Sequence, residues 1–171
     1  SAAASNVRVQ LQALQLLGAL CCHDTVEDDP AYSPPTNANA APIQVRAPYG
    51  GRLLQVASAL VASSCPKVSA HACLVLVSFC RGGNGKDNCG VSVPKEVLVP
   101  YLQDVLMALA SGPLSLDVSD PAKVSGGAVT VLVRAINAVA CLADAAGADF
   151  APYYGNIMPG LLGCSQFGLQ I

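Results

Sequence analysis

Charge is scarce in this chain. Only 12% of its 171 residues are Asp, Glu, Lys or Arg, and nine basic residues stand against 11 acidic ones for a net charge of -2. There is no basic patch or tail, which argues against a nucleic-acid groove, because that needs clustered Lys and Arg. Aromatics make up 5% and Trp is absent. The only histidines are His23 and His71. A hydrolytic triad would have to use one of them, with no GxSxG motif to supply its serine. No cysteine pair forms CxxC, and no Asn-x-Ser/Thr sequon occurs. No segment alternates with period two over a useful length, so strands are not expected. No charged start precedes a short apolar block, so no signal peptide is read.

What is present is Ala, Val and Leu. The chain is 53% hydrophobic, a composition suited to close-packed helices. A membrane span is weighed at residues 124–148 and rejected. Arg134, Asn137 and Asp144 lie along that helix, and a central charge in a bilayer costs roughly 2.5–3.5 kcal/mol. The eight cysteines stand at positions 21, 22, 65, 73, 80, 89, 141 and 164, most inside apolar helical runs. They read as reduced, mostly buried thiols of an intracellular protein, not as a disulfide framework.

The strongest internal signal is a period. Pro48-Tyr49, Pro100-Tyr101 and Pro152-Tyr153 follow one another at intervals of 52 residues and use three of the five tyrosines. Leu53 and Leu54, Val105 and Leu106, and Ile157 and Met158 follow at matching offsets, as do Ala57, Leu109 and Leu161. A period shared by punctuation and apolar positions marks a repeat protein. Repeats of this kind build extended binding surfaces far more readily than catalytic pockets. The proline of each pair is expected to shape its helix, and the tyrosine to pack between repeats.

Six helices are expected. The first covers 6–22, with Val7, Leu11, Leu14 and Leu17 on one face and Arg8, Gln12 and Gln15 on another. Residues 24–47 read as a disordered acidic and Pro-rich insertion with Asp24, Glu27, Asp28 and Asp29 at its start. The helices at 48–62 and 66–80 form one repeat (48–80), with Pro66 at a helix start. After a Gly/Asn loop at 81–92, the helices at 94–110 and 124–146 form the next (94–146). Pro100 is expected to kink or restart its helix, and Gly147 to cap the fifth. A sixth helix begins near Asp149 and covers 149–162. Residues 163–171 lose the pattern and read as an atypical tail. The fold class is therefore all-α, an α-solenoid of antiparallel helix pairs with about three repeats in one array over 1–171. It looks like a piece of a longer array.

Particular residues carry a family resemblance. Val68-Ser-Ala-His-Ala-Cys-Leu-Val-Leu-Val-Ser-Phe79, followed by Val97-Leu-Val-Pro-Tyr-Leu-Gln-Asp-Val105, resembles a helix B to helix A junction of the HEAT repeats in the importin-β superfamily. Ala135-Ile-Asn-Ala-Val-Ala-Cys-Leu-Ala-Asp144, then Asp149-Phe-Ala-Pro-Tyr-Tyr-Gly-Asn-Ile-Met-Pro159, is similar to the "VADxxxxxFxPYYxxxMPxL" run of its importin-five, or karyopherin beta-3, branch. The helix beginning Val7-Arg8 looks like a HEAT helix B of the same array. The resemblance covers residues 7–162 apart from the insertions, which are longer than the family usually carries.

The resemblance implies a segment from the middle of a nuclear transport receptor that shuttles between cytoplasm and nucleus. Members of the family import protein cargo with basic nuclear localisation signals, ribosomal proteins and histones among them, and release it to Ran-GTP. Cargo and Ran meet the concave face lined by B helices. Nucleoporins with Phe-Gly repeats meet the outer side. Ran contact is expected through the full-length parent and not through these residues alone. The alternative is a HEAT scaffold or assembly factor without Ran dependence. Neither reading involves catalysis, a cofactor, a metal or direct contact with nucleic acid.

The candidate cargo-binding residues follow from helical spacing. Arg134, Asn137 and Asp144 share one stripe with Cys141, and Arg8, Gln12 and Gln15 form the corresponding stripe on the first helix. Each stripe also reads as a plain solvated face. The acidic cluster at 24–29 suits basic cargo or simple solubility. Cys21-Cys22-His23 and His71-x-Cys73 suggest zinc, but adjacent helical residues point about 100° apart and do not readily share a metal. Gly82-Gly-Asn-Gly-Lys86 suggests a phosphate loop, but Asp87 and Cys80 replace its Ser/Thr and first Gly, and no strand precedes it.

Overall fold

The computed structural model describes residues 2–23, 46–81, 95–116 and 124–168. Those residues are helical, with turns and no strand among them, so the chain is all-α. Six helices follow in order: α1 (Ala2–His23), α2 (Arg46–Val61), α3 (Pro66–Arg81), α4 (Lys95–Ser111), α5 (Gly126–Ala146) and α6 (Tyr154–Gly168). Short 3-10 segments at Pro113–Ser115 and Gly147–Tyr153 follow α4 and α5. Of the insertion expected at 24–47, residues 24–45 lie outside the described residues, and Arg46 and Ala47 belong to α2 instead; of the Gly/Asn loop expected at 81–92, Arg81 ends α3 and the rest lies outside the described residues, as do 93–94, 117–123 and 169–171.

The helix limits have local causes. Proline opens α3, where its missing N–H has no intrahelical partner to lose. The Ser125 hydroxyl caps α5 by accepting from the Ala128 N–H at 3.2 Å. Gly147, at φ 58, ends that helix and donates its N–H to the Ala143 carbonyl. Of the two expectations for Pro100, a kink or a restart, the restart does not occur, since α4 runs through it as one element. It is the sixth residue of α4, as Pro159 is of α6. The hydrogen bond it forgoes would end on a carbonyl of the exposed first turn, where water can serve instead. The sixth helix also exceeds its expected extent. The segment around Pro152 is 3-10, and α6 then continues past Leu162 to Gly168.

The helices pack in two layers. α3 lies between α1 and α5, while α2 lies beside α4, and α6 touches α4. The α2–α3 and α4–α5 contacts join the layers. Close approaches fix the directions. A Cβ on Gly18, late in α1, would lie 3.9 Å from Val75 Cγ2, late in α3, and one on Gly127 would lie 3.3 Å from Pro66 Cβ, so the starts of α5 and α3 adjoin. Helices within that layer therefore run parallel. Gly50 and Gly51 at the start of α2 press against Val97 and Tyr101 at the start of α4, so the second layer is parallel too. Gly50 also meets Phe79 at the end of α3, which makes α2 and α3 antiparallel.

One hydrophobic core fills the space between the layers. Phe79, Leu76, Leu54, Leu98, Leu102, Leu106, Leu109, Leu142 and Ile157 are its largest fully buried side chains. Each contributes roughly 1.5–3 kcal/mol by leaving water. Two stretches, Lys95–Ser115 and Gly126–Ser165, are long and apolar enough to cross a membrane by length and composition. The second is broken by the 3-10 segment at Gly147, and both turn buried leucines toward neighbouring helices. Cys21, Cys73, Cys80, Cys141 and Cys164 are buried and Cys65 is half-buried.

Candidate binding surface

The layer made by α1, α3 and α5 has an inner side, toward α2 and α4, and an outer side. On α3 the inner side is set by Leu76, Ser69 and Phe79, all buried. The opposite side carries Lys67, His71, Leu74, Ser78 and Arg81. Their spacing of 4, 3, 4 and 3 residues keeps them in one narrow row. Lys67 and Arg81 are exposed and the three between are partly so. His71 Nδ1 donates to the Lys67 carbonyl oxygen at 2.8 Å, which makes Nε2 the ring atom available to a partner.

The stripes expected on the flanking helices border this row. Arg8, Gln12 and Gln15 on α1 are exposed, away from the Leu14–Cys21 side that meets α3. Helical spacing turns Gln15 and Arg8 toward the outer side of the layer and Gln12 further round, toward the free flank of α1. On α5, Arg134, Asn137 and Asp144 are exposed. Arg134 turns toward the outer side, and Asn137 and Asp144 toward the free flank. Cys141 is not part of an exposed stripe, since it is buried at 5% exposure. The result is a shallow polar band across three parallel helices, with α3 at its centre.

Sequence reasoning missed that centre, because α3 reads as apolar nearly all round. The signal was available: every polar or charged residue of α3 except Ser69 falls in the row. Ser69 has a structural task. It is buried, and its hydroxyl donates to the Val61 carbonyl at 2.6 Å, which satisfies the last residue of α2 and ties it to α3. The band holds Arg8, Lys67, Arg81 and Arg134 against Asp144, a cationic balance among the described residues of these three helices.

The repeated Pro-Tyr pairs occupy three different environments. Tyr101 lies against Gly51 between α4 and α2, where a Cβ on the glycine would come within 2.7 Å of the ring. Tyr153 is half-buried, and Tyr49 is 58% exposed. Pro48, Pro100 and Pro152 are all exposed.

No chemistry gathers elsewhere among the described residues. His71 and Cys73 point to different sides of α3. Burial pushes the Cys73 thiol from 9.0 up to about 12, so it is a neutral thiol at physiological pH. No group of three or more His, Cys, Asp or Glu among the described residues is placed to hold a metal. The side chains of Cys22 and His23, the acidic cluster at 24–29 and the Gly82–Lys86 loop lie outside the described residues. An open recess of about 220 Å³ lies between the α2–α3 turn, the end of α4 and the start of α5, lined by Val61, Pro66, Ser69, Gly112, Pro113 and Val131. It carries no ionisable side chain and is smaller than the roughly 300 Å³ at which small-molecule sites begin.

No protein-family model matches this chain, and no solved structure matches it.

Proposed function

We propose that this chain is a HEAT-type helical array that works by binding proteins, as a segment of a nuclear transport receptor. The observation that carries the array reading is the stacking of like helices in parallel at the 52-residue register, with Tyr101 of one unit against Gly51 of the unit before it. Such stacking spreads side chains from successive helices over one continuous surface. On this surface Gln15 and Ser78, with Asn137 at its edge, supply hydrogen-bonding groups for an extended partner backbone, and Asp144 can accept from a lysine. The transport reading itself rests on the sequence resemblance at 135–159. In it, basic cargo occupies the band, Phe-Gly nucleoporins meet the α2–α4 side, and Ran-GTP shifts the full-length receptor toward a state of lower cargo affinity.

The test is a pull-down of basic nuclear proteins by the full-length protein that carries this array, with and without GTP-locked Ran. Release by Ran supports the import receptor. Absence of any Ran binding removes it and leaves an interaction scaffold. One observation favours that second reading: the band on α1, α3 and α5 is cationic, the sign that suits an acidic partner better than a basic one.

A further inference from the structure

The outer side of the layer built by α1, α3 and α5 runs along the stack. A helix added before α1 or after α5 would lengthen this side without covering it. Its charges are unevenly placed. Gly18 of α1 approaches both Val75 and Ser78 of α3, and Gly127 of α5 approaches Pro66. Counting back along α1 from the first contact sets Arg8 level with the start of α3, beside Lys67. Counting along α5 from the second sets Arg134 level with Cys73, about two turns further on. Arg8, Lys67 and Arg134 are exposed. None of the three is paired with a carboxylate among the described residues.

Opposing charge is missing from this half of the band. The first turns of α1, α3 and α5 hold no acidic residue. Asp144, the one acid on these three helices among the described residues, stands level with the end of α3, near Arg81 and far from Lys67. Lys67 is the second residue of α3, where the positive end of the helix makes a cation unfavourable until an anion joins it. The row beyond it suits a main chain. Lys67 and Arg81 are about 21 Å apart along the axis, the reach of roughly six or seven extended residues. Between them lie the Nε2 of His71, the hydroxyl of Ser78 and the apolar footing of Leu74. Phe79, the aromatic residue of these helices among the described residues, is buried in the core, so a nucleic acid would find charge here but no ring on which to stack.

We propose that this face binds an acidic, extended segment of another protein, laid along α3. Its carboxylates meet Arg8, Lys67 and Arg134, and its backbone passes over His71 and Ser78 toward Arg81. Opposite charge sets the direction of docking and speeds the encounter. The proposal rests on the scaffold form of the protein-binding reading, since the transport form puts basic cargo on the same face.

Fluorescence anisotropy of the native 171-residue chain tests it. The probe is a labelled peptide of alternating Glu and Ser, about twelve residues long so that it spans the row, with Lys-Ser and Gln-Ser counterparts as controls. The Glu peptide should bind best and lose affinity as salt rises. Arg8→Ala, Lys67→Ala and Arg134→Ala should each weaken it by about two- to fivefold, the scale of an exposed ion pair. Arg8→Glu combined with Lys67→Glu should abolish binding, with the helical circular dichroism unchanged. Lys67→Gln repeats the block should that double variant fail to fold. Arg52→Ala, at an exposed cation on α2 in the other layer, should leave binding as it was. Lys and Glu peptides that bind equally overturn the proposal, and an Arg52→Ala loss equal to that of Lys67→Ala overturns the placement. An oligothymidylate that binds more tightly than the Glu peptide overturns it in favour of a nucleic acid. A Glu peptide that does not bind, while the full-length protein still recovers partners without Ran, overturns the acidic partner and leaves the scaffold standing. Ran-driven release of basic cargo in the pull-down is what fails the scaffold, so the two failures are told apart.

Discussion

Helices α1 and α3 lie in the same layer, run in the same direction and are built largely from Ala, Leu and Val, yet they differ in what they bury. Nine of the 16 residues of α3 are buried. On α1, Leu14 and Cys21 are the buried residues among those whose burial is described, and Val9 and Leu16 stand 62% and 60% exposed. Composition does not separate the two. Position in the stack does: α3 has α1, α2 and α5 around it, whereas α1 leans on α3. In packed helical layers, an apolar residue acquires its energetic meaning from its neighbours, and the same leucine is buried in the middle and left in water at the edge.

Substitutions can break or sharpen that contrast. Phe79→Ala, where the end of α3 meets Gly50 at the start of α2, should cost about 3–5 kcal/mol in urea unfolding. Ser69→Ala leaves the Val61 carbonyl buried without its donor and should cost about 1–3 kcal/mol by the same assay. Gly50→Ala forces a methyl against Val97 and Phe79, and its overpacking cost of ~1–3 kcal/mol exceeds the gain in helix propensity. Among the described residues, Gly163→Ala has nothing within 4 Å of the new methyl. It should therefore stabilise by about 0.5–1 kcal/mol. Opposite signs from the same chemical change would locate the tight layer contact, and equal signs would deny it.

The buried Cys73 adds a pH signature. Its folded-state pKa is raised above the unfolded value, so the folded state holds a proton that the unfolded state gives up. Its contribution is fully present below pH 9.0 and is lost as pH rises toward about 12. The difference in urea midpoint between the native chain and Cys73→Ala should shrink over that interval. Leu16→Ala is expected to change monomer stability by less than about 0.5 kcal/mol, which dilute thermal melts would show.

Much of this architecture was legible in the sequence. Spacing of apolar residues placed the first five helices, Pro66 marked the start of α3, and Gly147 marked the end of α5, whereas the sixth helix was expected to begin at Asp149, in what is a 3-10 segment. The Pro-Tyr period pointed to the register at which α4 follows α2. What stayed hidden depends on through-space neighbours. Gly50-Gly51 reads locally as a weak point in a helix, and only the approach of Val97, Phe79 and Tyr101 explains it. Ser69 reads as a neutral residue until the end of α2 is placed above it. The polar row on α3 was obscured because its members are outnumbered by apolar residues on three packed sides. For the band on α1, α3 and α5, the flanking stripes at Arg8 and Arg134 were visible from spacing, and the central one was not. Pro100 was read as a kink or a restart because its place one turn from the exposed helix start could not be weighed without knowing where α4 begins.

The reversal between α2 and α3 also orders events in time. Only residues 62–65 separate the two helices, and the Ser69–Val61 hydrogen bond closes over them. Closing so short a connection loses little chain entropy, so this hairpin is the part of the array able to form before distant segments meet. It then offers a ready template on which α4 and α5 condense. Amide exchange in the native chain should follow that history, slowest in α3 and fastest in α1.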